Sequence, residues 1–245
     1  MQVLISCAKT MGCIQASVPE MSLPHFSTEA AAAVRQLLSF SPEMLRSMLH
    51  VNAKIAAENA LRFSHFFDET ETNVPALLAY TGIVFKYIRP GDFTSDDFYY
   101  AQQHLFITSF LYGLLRPLDG IRPYRLEGNV HLPDATGPDR FEFWRPCLTD
   151  MLLNAVKADD GILINLASNE MKRLFDWKRV EKEVRIITPD FTTIKEGRER
   201  SIVIYTKMCR GEMTRFILKN RLVSPVELEA FEPISDLPVI TTIEG

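Results

Sequence analysis

The sequence predicts an α/β protein of the mixed α+β kind: a mixed β-sheet flanked by helices, with a helical insert. Three observations lead there. Short, wholly apolar runs at Val3-Leu4-Ile5 and Ile162-Leu163-Ile164 have the length of buried strands. Longer stretches repeat apolar residues at the helical period, as Trp144, Leu148, Met151, Leu152 and Ala155 do between Phe141 and Val156. The two kinds of element follow one another without a regular βαβα rhythm, which points to a mixed sheet.

Taken in order, Val3 to Ile5 forms the first strand and leads into Ser6-Cys7-Ala8-Lys9-Thr10. A lysine just past the C-terminal end of a buried strand stands where α/β sheets bind ligands, or it is a strand-end lysine reaching water. Residues 11–27, with Pro19 and Pro24, are irregular. Glu29 to Leu38 is alanine-rich and helical. Ser41 caps, and Pro42 opens, another helix. A further helix spans Lys54 to Phe66, with Ile55, Asn59, Arg62 and Phe66 roughly along one side. Leu77 to Tyr80 reads as a strand.

Thr94-Ser95-Asp96-Asp97 starts a helix through Phe98 to His104. Phe106 to Phe110 fits strand or helix. Gly161 to Asn165 is a second buried strand, ending where Ser168-Asn169-Glu170 meets a short helix of Met171 to Phe175. Val184 to Ile194 and Ser201 to Thr206 pair as a hairpin around Lys195-Glu196-Gly197-Arg198. A helix follows from about Lys207 to Arg221. This makes a single domain over residues 1–231, with the helical insert at about 29–66 and a loosely held tail at 232–245.

Composition narrows the function. The chain has 245 residues, 47% hydrophobic and 24% charged, enough for a sizeable core without disulfides. Its net charge is −4, so no basic field covers it and any polyanion site must be local. Cys7, Cys13, Cys147 and Cys209 form no Cys-x-x-Cys pair, which fits reduced thiols in a cytoplasm. The histidines are scattered, so no metal site and no cofactor are expected. Neither a signal peptide nor a membrane-spanning run is visible.

The chemistry-bearing residues concentrate in Leu111 to Glu127. Arg116, Arg122, Arg125, Asp119, Glu127 and Tyr124 sit there among Pro117, Pro123, Gly113 and Gly120. Pro and Gly set the backbone, so this segment aims its polar groups. In the last long helix, Lys207, Arg210, Gly211, Thr214 and Arg221 share a face, and Met213, Phe216 and Ile217 share another. Lys207 and Arg210 at a helix start oppose the macrodipole unless an anion is present. Gly211 would let a ligand or another backbone approach. Lys9, Arg116, Arg125, Lys207 and Arg210 can therefore converge on an anion. Glu127 and Glu170 are then either compensating charges or acid–base groups, and Ser168 is either a helix cap or a hydroxyl ligand. Met48 to Ala56 resembles a helix-hairpin-helix whose usual glycines fall at His50 and Asn52, with Lys54 beside the phosphate; a plain αα-hairpin fits the same residues.

Several motifs together resemble the YaaA family of peroxide-stress proteins over about residues 1–231. They are Leu4-Ile5-Ser6-x-Ala8-Lys9-Thr10, Ala101-Gln102-Gln103-His104-Leu105, Leu111-Tyr112-Gly113-x-Leu115-Arg116-Pro117-Leu118-Asp119 and Pro123-Tyr124-Arg125-Leu126-Glu127. Phe143-Trp144, Ile164-Asn165-Leu166-Ala167-Ser168-x-Glu170 and Arg210-Gly211-x-Met213-x-Arg215-Phe216 complete the set. The resemblance implies a cytoplasmic protein that limits hydrogen peroxide damage, linked to lowering free intracellular iron. It further implies a family-specific α/β fold, a helix-hairpin-helix-like element, a cationic cleft and binding to double-stranded DNA. The family signature carries over onto Lys9, Arg116, Tyr124, Arg125, Glu127, Ser168, Glu170, Lys207, Arg210 and Arg215. Cys7 stands where the family often has proline, and Cys209 where alanine is common. Cys209, beside Arg210 near a helix start, is expected to have a lowered pKa.

Two functions follow as expectations. The first is a DNA-binding stress protein, with phosphates on the cleft and on His50, Asn52 and Lys54. The second is an enzyme acting on a nucleotide or nucleobase. Its phosphate clamp would be Arg116, Arg125, Lys207 and Arg210, with Tyr124, Glu127, Ser168 and Glu170 as candidates for the chemistry.

Overall fold

The computed structural model describes residues 1–133, 136–195, 198–233 and 239–244. In chain order the first elements are β1 (Gln2–Ile5), α1 (Ser27–Leu37), α2 (Pro42–Met48), α3 (Ala53–Ser64), β2 (Val74–Pro75), α4 (Ala76–Ala79) and α5 (Ile83–Ile88). Next come α6 (Ser95–His104), β3 (Leu105–Ser109), β4 (Gly113–Leu115), β5 (Gly120–Ile121) and α7 (Arg140–Ala158). The chain ends with β6 (Ile162–Leu166), α8 (Asn169–Lys172), α9 (Trp177–Glu183), β7 (Arg185–Lys195), β8 (Arg198–Arg200), α10 (Val203–Asn220) and β9 (Val239–Glu244).

Seven strands form one mixed sheet in the order β4-β3-β1-β6-β7-β8, with β9 also paired to β7. β1 is central and parallel to both β3 and β6, with Val3 level with Leu105 and Ile164. β6 is parallel to β7, while β4 runs antiparallel at the β3 edge. Strands buried on both faces need continuous apolar side chains, which Val3, Leu4, Ile5, Leu163 and Ile164 supply at full burial. Each such side chain contributes about 1.5–3 kcal/mol of burial free energy. Helices flank the sheet: α7 and α9 pack on each other and on β6 and β7, while α10 packs on α5, α6 and β7.

The helix starts follow local chemistry. Ser41 Oγ accepts from the Met44 N–H, Asn52 Oδ1 from Ile55, and Thr94 with Asp97 forms a reciprocal capping box, as Asp139 does with Glu142. Phe106 to Phe110, open between strand and helix in sequence, is strand through Ser109.

Two expectations are corrected. Leu77 to Tyr80 is not a strand: Ala76–Ala79 forms one fully buried helical turn, because a short run without polar residues can bury itself either way. Ser201 to Thr206 is not the hairpin's second strand. Arg198–Arg200 pairs with β7, and α10 already begins at Val203; Glu196 and Gly197 of the expected turn lie outside the described residues. Residues 232–245, set apart in sequence as a loosely held tail, contribute β9, which pairs with β7 from Thr188↔Glu244 to Thr193↔Val239.

Candidate functional site

A cavity of about 330 Å³ opens at the carboxyl ends of the parallel strands. It is lined by Ser6 to Thr10 after β1, Phe110 after β3, and Ser168, Glu170 and Met171 after β6. Gly82 to Phe85, Tyr124 to Leu126, and Lys207 of α10 complete the wall. The chain leaves β1 toward β3 but leaves β6 toward β7, in opposite directions along the sheet. Diverging loops at such a switch point open a crevice between neighbouring strands. Across it, Ser6 Oγ accepts from the Ser168 N–H at 2.9 Å and lies 3.4 Å from Ser168 Oγ.

Three cations and two carboxylates meet here. Both Glu127 oxygens are engaged: Lys9 Nζ lies 2.7 Å from one, and Arg125 Nη2 and Nε lie 3.0 and 3.2 Å from the other. The Glu127 side chain is only 10% exposed, so it is the compensating charge that holds Lys9 and Arg125 together. Lys207 is exposed on the α10 side. Glu170, also exposed, has no ion pair among the described residues and is the carboxylate left facing the cavity. Ser168 occupies the cap position of α8, yet its hydroxyl makes no capping hydrogen bond, because it turns toward Ser6. Of the two readings open in sequence, its hydroxyl therefore stands at the cavity wall and does not cap the helix.

The floor is a buried hydroxyl cluster. Tyr124 Oη lies 2.6 Å from Ser109 Oγ and 2.9 Å from Tyr80 Oη. Burial pushes both phenols well above their ordinary range, so they remain protonated donors. Tyr124 is 4% exposed, which leaves little ring face for stacking a base. Burial also pushes the Cys7 thiol up to about 12, against the pull of the Thr108 hydrogen bond, with Glu170 and Glu127 adding to the rise. The Phe110 carbonyl accepts from Trp144 Nε1 at 2.9 Å and from Arg140 Nε at 3.1 Å, which fixes this wall.

The remaining signature cations do not come to the cavity. Arg116 sits at the amino ends of β1 and β3, where Nη1 donates to Gln2 Oε1 and the Gln103 and Leu105 carbonyls at 3.0–3.2 Å. Its guanidinium covers the Phe106 ring at 3.4 Å, and burial pulls it down to about 10. Arg215 makes a two-pronged pair with Asp92 at 2.7 and 2.8 Å and donates to the Ile88 and Arg89 carbonyls, closing the end of α5. Arg210 is half-buried and does not line the cavity; desolvation lowers its pKa, with Asp190 opposing.

Because α10 starts at Val203, Lys207 and Arg210 lie a turn or more inside it, and the macrodipole mismatch expected at its start does not arise. The expected polar face is not solvated either, since Gly211 and Thr214 are buried. A Cβ on Gly211 would sit 2.3 Å from the Val84 carbonyl, so the close approach belongs to α5 and not to a ligand. Cys209 is buried and its thiol is raised to about 11 by desolvation, the reverse of the lowered value expected from Arg210.

His50 and Asn52, on the turn between α2 and α3, and Lys54, in the first turn of α3, are all exposed and away from the cavity lining. His50 takes the left-handed backbone (φ 50°) that a hairpin glycine would take, while Asn52 keeps an ordinary φ of −75° and caps α3. Sequence reasoning missed Tyr80, Ser109, Gly82 and Arg140. Gly82 is where two cavity loops touch: a Cβ there would lie 2.6 Å from the Ala8 Cβ. Among the described residues no three metal-ligating side chains gather, and no helix is long and apolar enough to cross a membrane.

A family model described as peroxide stress protein YaaA matches residues 1–236. A UPF0246 protein of Phocaeicola vulgatus is 55% identical over 95% of this chain and 91% of its own length. One of Bacteroides thetaiotaomicron is 56% identical, covering 100% of this chain and 99% of its own length. One of Porphyromonas gingivalis is 47% identical, covering 95% and 92%.

Proposed function

The chain belongs to the peroxide stress protein YaaA family, and from that premise we propose that it serves the peroxide response by binding a nucleotide unit, free or within DNA, in the cavity at the β1/β6 switch point. The observation that carries this is the meeting of Lys9, Arg125 and Lys207, from three distant segments, around one cavity of about 330 Å³. That volume is at the small end of ligand sites and suits one nucleotide unit better than a duplex. With Glu127 shared between Lys9 and Arg125, the trio keeps an excess of positive charge for a phosphate. The exposed α2–α3 turn supports DNA contact at a second place. There the left-handed His50 backbone and Lys54 stand ready for phosphate oxygens.

Calorimetry with a nucleoside monophosphate tests the cavity. Arg125→Ala and Lys207→Ala should each weaken binding by about tenfold, the value of one charged hydrogen bond. Wild-type protein that takes up no mononucleotide at millimolar concentration would end this reading. For the hairpin, Lys54→Ala should lower duplex affinity and flatten its salt dependence. A cytoplasmic location and a link to free iron belong to the same proposal. A strain carrying only Arg125→Ala should show the peroxide sensitivity and chelatable iron of a deletion strain.

One observation favours a catalytic version. Glu170 lines the cavity together with the Ser6 and Ser168 hydroxyls and has no ion pair among the described residues, which leaves it available as an acid–base group. Mass spectrometry of nucleotide or DNA products, present with wild type and absent with Glu170→Gln while binding persists, would separate turnover from binding.

A further inference from the structure

A second concavity, of about 510 Å³, is lined by residues that directly follow the cavity's own along α8. Met171 lines the cavity, and the next two residues, Lys172 and Arg173, line this groove with Arg145, Trp177 and Lys178. The groove gathers four cations in a chain whose net charge is −4. Its one lining carboxylate, Asp176, is occupied as the cap of α9, accepting from the Arg179 N–H. Compensation is sparse. Among the described residues, Arg173 reaches Asp139 only at 3.9 Å and lies over the Phe141 ring at 3.9 Å, Arg145 donates to the Arg173 carbonyl, and Lys178 has no ion pair. Arg179, the residue after Lys178, is by contrast held by Asp150 and Glu183 at 2.6 and 2.7 Å. Trp177 is half-buried against Phe175 and lies 5.0 Å from Lys172 Nζ.

Loosely compensated cations spaced along a groove beside an aromatic ring match a phosphodiester strand with unpaired bases. The cations track phosphates, and the ring offers a sequence-tolerant stacking face. We infer that this groove is a track for single-stranded DNA, which feeds the adjacent nucleotide over α8 into the cavity. The inference rests on the nucleotide reading of the cavity for its second half only.

The molecule carries its own probe. Of its two tryptophans, Trp144 is fully buried, so quenching by acrylamide reports on Trp177. Adding dT12 to wild-type protein should shield Trp177, whereas dTMP, confined to the cavity, should not. Lys172→Glu combined with Lys178→Glu should weaken dT12 binding more than tenfold. It should also reduce the log–log salt slope by about 1.4, at about 0.7 for each phosphate released. dTMP binding should be unchanged. Circular dichroism confirms the fold of the variant, and Arg145→Glu serves as a second variant on a different helix. Unchanged dT12 affinity in both variants overturns the groove, as does equal shielding of Trp177 by poly-glutamate. If dT12 binding is lost in the variants while wild type never binds dTMP, the groove stands and the cavity reading falls.

Discussion

The two ends of the sheet use similar residues to opposite effect. At the amino ends of β1 and β3, Arg116 fills three oxygens. Asp119 accepts from the Arg116 N–H at 2.8 Å and from Ser22 Oγ at 2.7 Å. Gln102 joins Ser22 to the Leu118 N–H. At the carboxyl ends, nine residues further along the same motif, Arg125 shares Glu127 with Lys9 beside an open cavity, and Glu170 and Lys207 have no ion pair among the described residues. A polar cluster whose bonding capacity is used up internally supports a fold; one left with spare charge around a void can bind. Motif membership alone does not separate the two.

The division can be broken or sharpened by experiment. Arg116→Ala should lower unfolding free energy by about 3 kcal/mol, since it orphans several acceptors and uncovers Phe106, while the folded fraction binds anions normally. Urea denaturation with parallel calorimetry measures both, and a binding defect without destabilisation would break the contrast. Gly211→Ala should cost about 2–3 kcal/mol by forcing α10 off Val84 and Tyr87. It should also weaken anion binding, because Val84 and Lys207 both line the cavity.

Glu127→Gln should lower stability by about 2 kcal/mol, since it breaks the largely buried charged pair with Arg125, while the pair with Lys9, whose side chain is 61% exposed, is screened. It should tighten mononucleotide binding several-fold by releasing both cations, which calorimetry would show as a lower Kd. The smallest effect expected is on the thiols. Burial raises the Cys7 thiol to about 12 and the Cys209 thiol to about 11, so neither offers an appreciable thiolate at pH 7. Peptide mass spectrometry after mild peroxide should find both unmodified, with exposed Cys13 as the internal comparison.

Much of the scaffold was legible because its signals are local. The caps at Ser41 and Thr94 and the apolar runs of β1 and β6 each act within a few residues, and each appears as read. Leu77 to Tyr80 failed because a four-residue apolar run has no period to choose between strand and helix. The start of α10 failed because Ile202 precedes it with no side-chain cap to mark the boundary. Lys9 and Arg125 come to the cavity, whereas Arg116 and Arg215, grouped with them in sequence, do not, because charge type does not reveal which way a side chain faces.

The sequence by itself determined the mixed α/β class, the family kinship and the segments that carry the chemistry, since all of these depend on pattern and identity along the chain. Only the tertiary structure decided which of those charges meet. Whether a guanidinium ends against main-chain oxygens at one end of a sheet or beside a void at the other depends on strand order and loop direction. Those are set by contacts between residues such as Ser6 and Ser168, 162 positions apart.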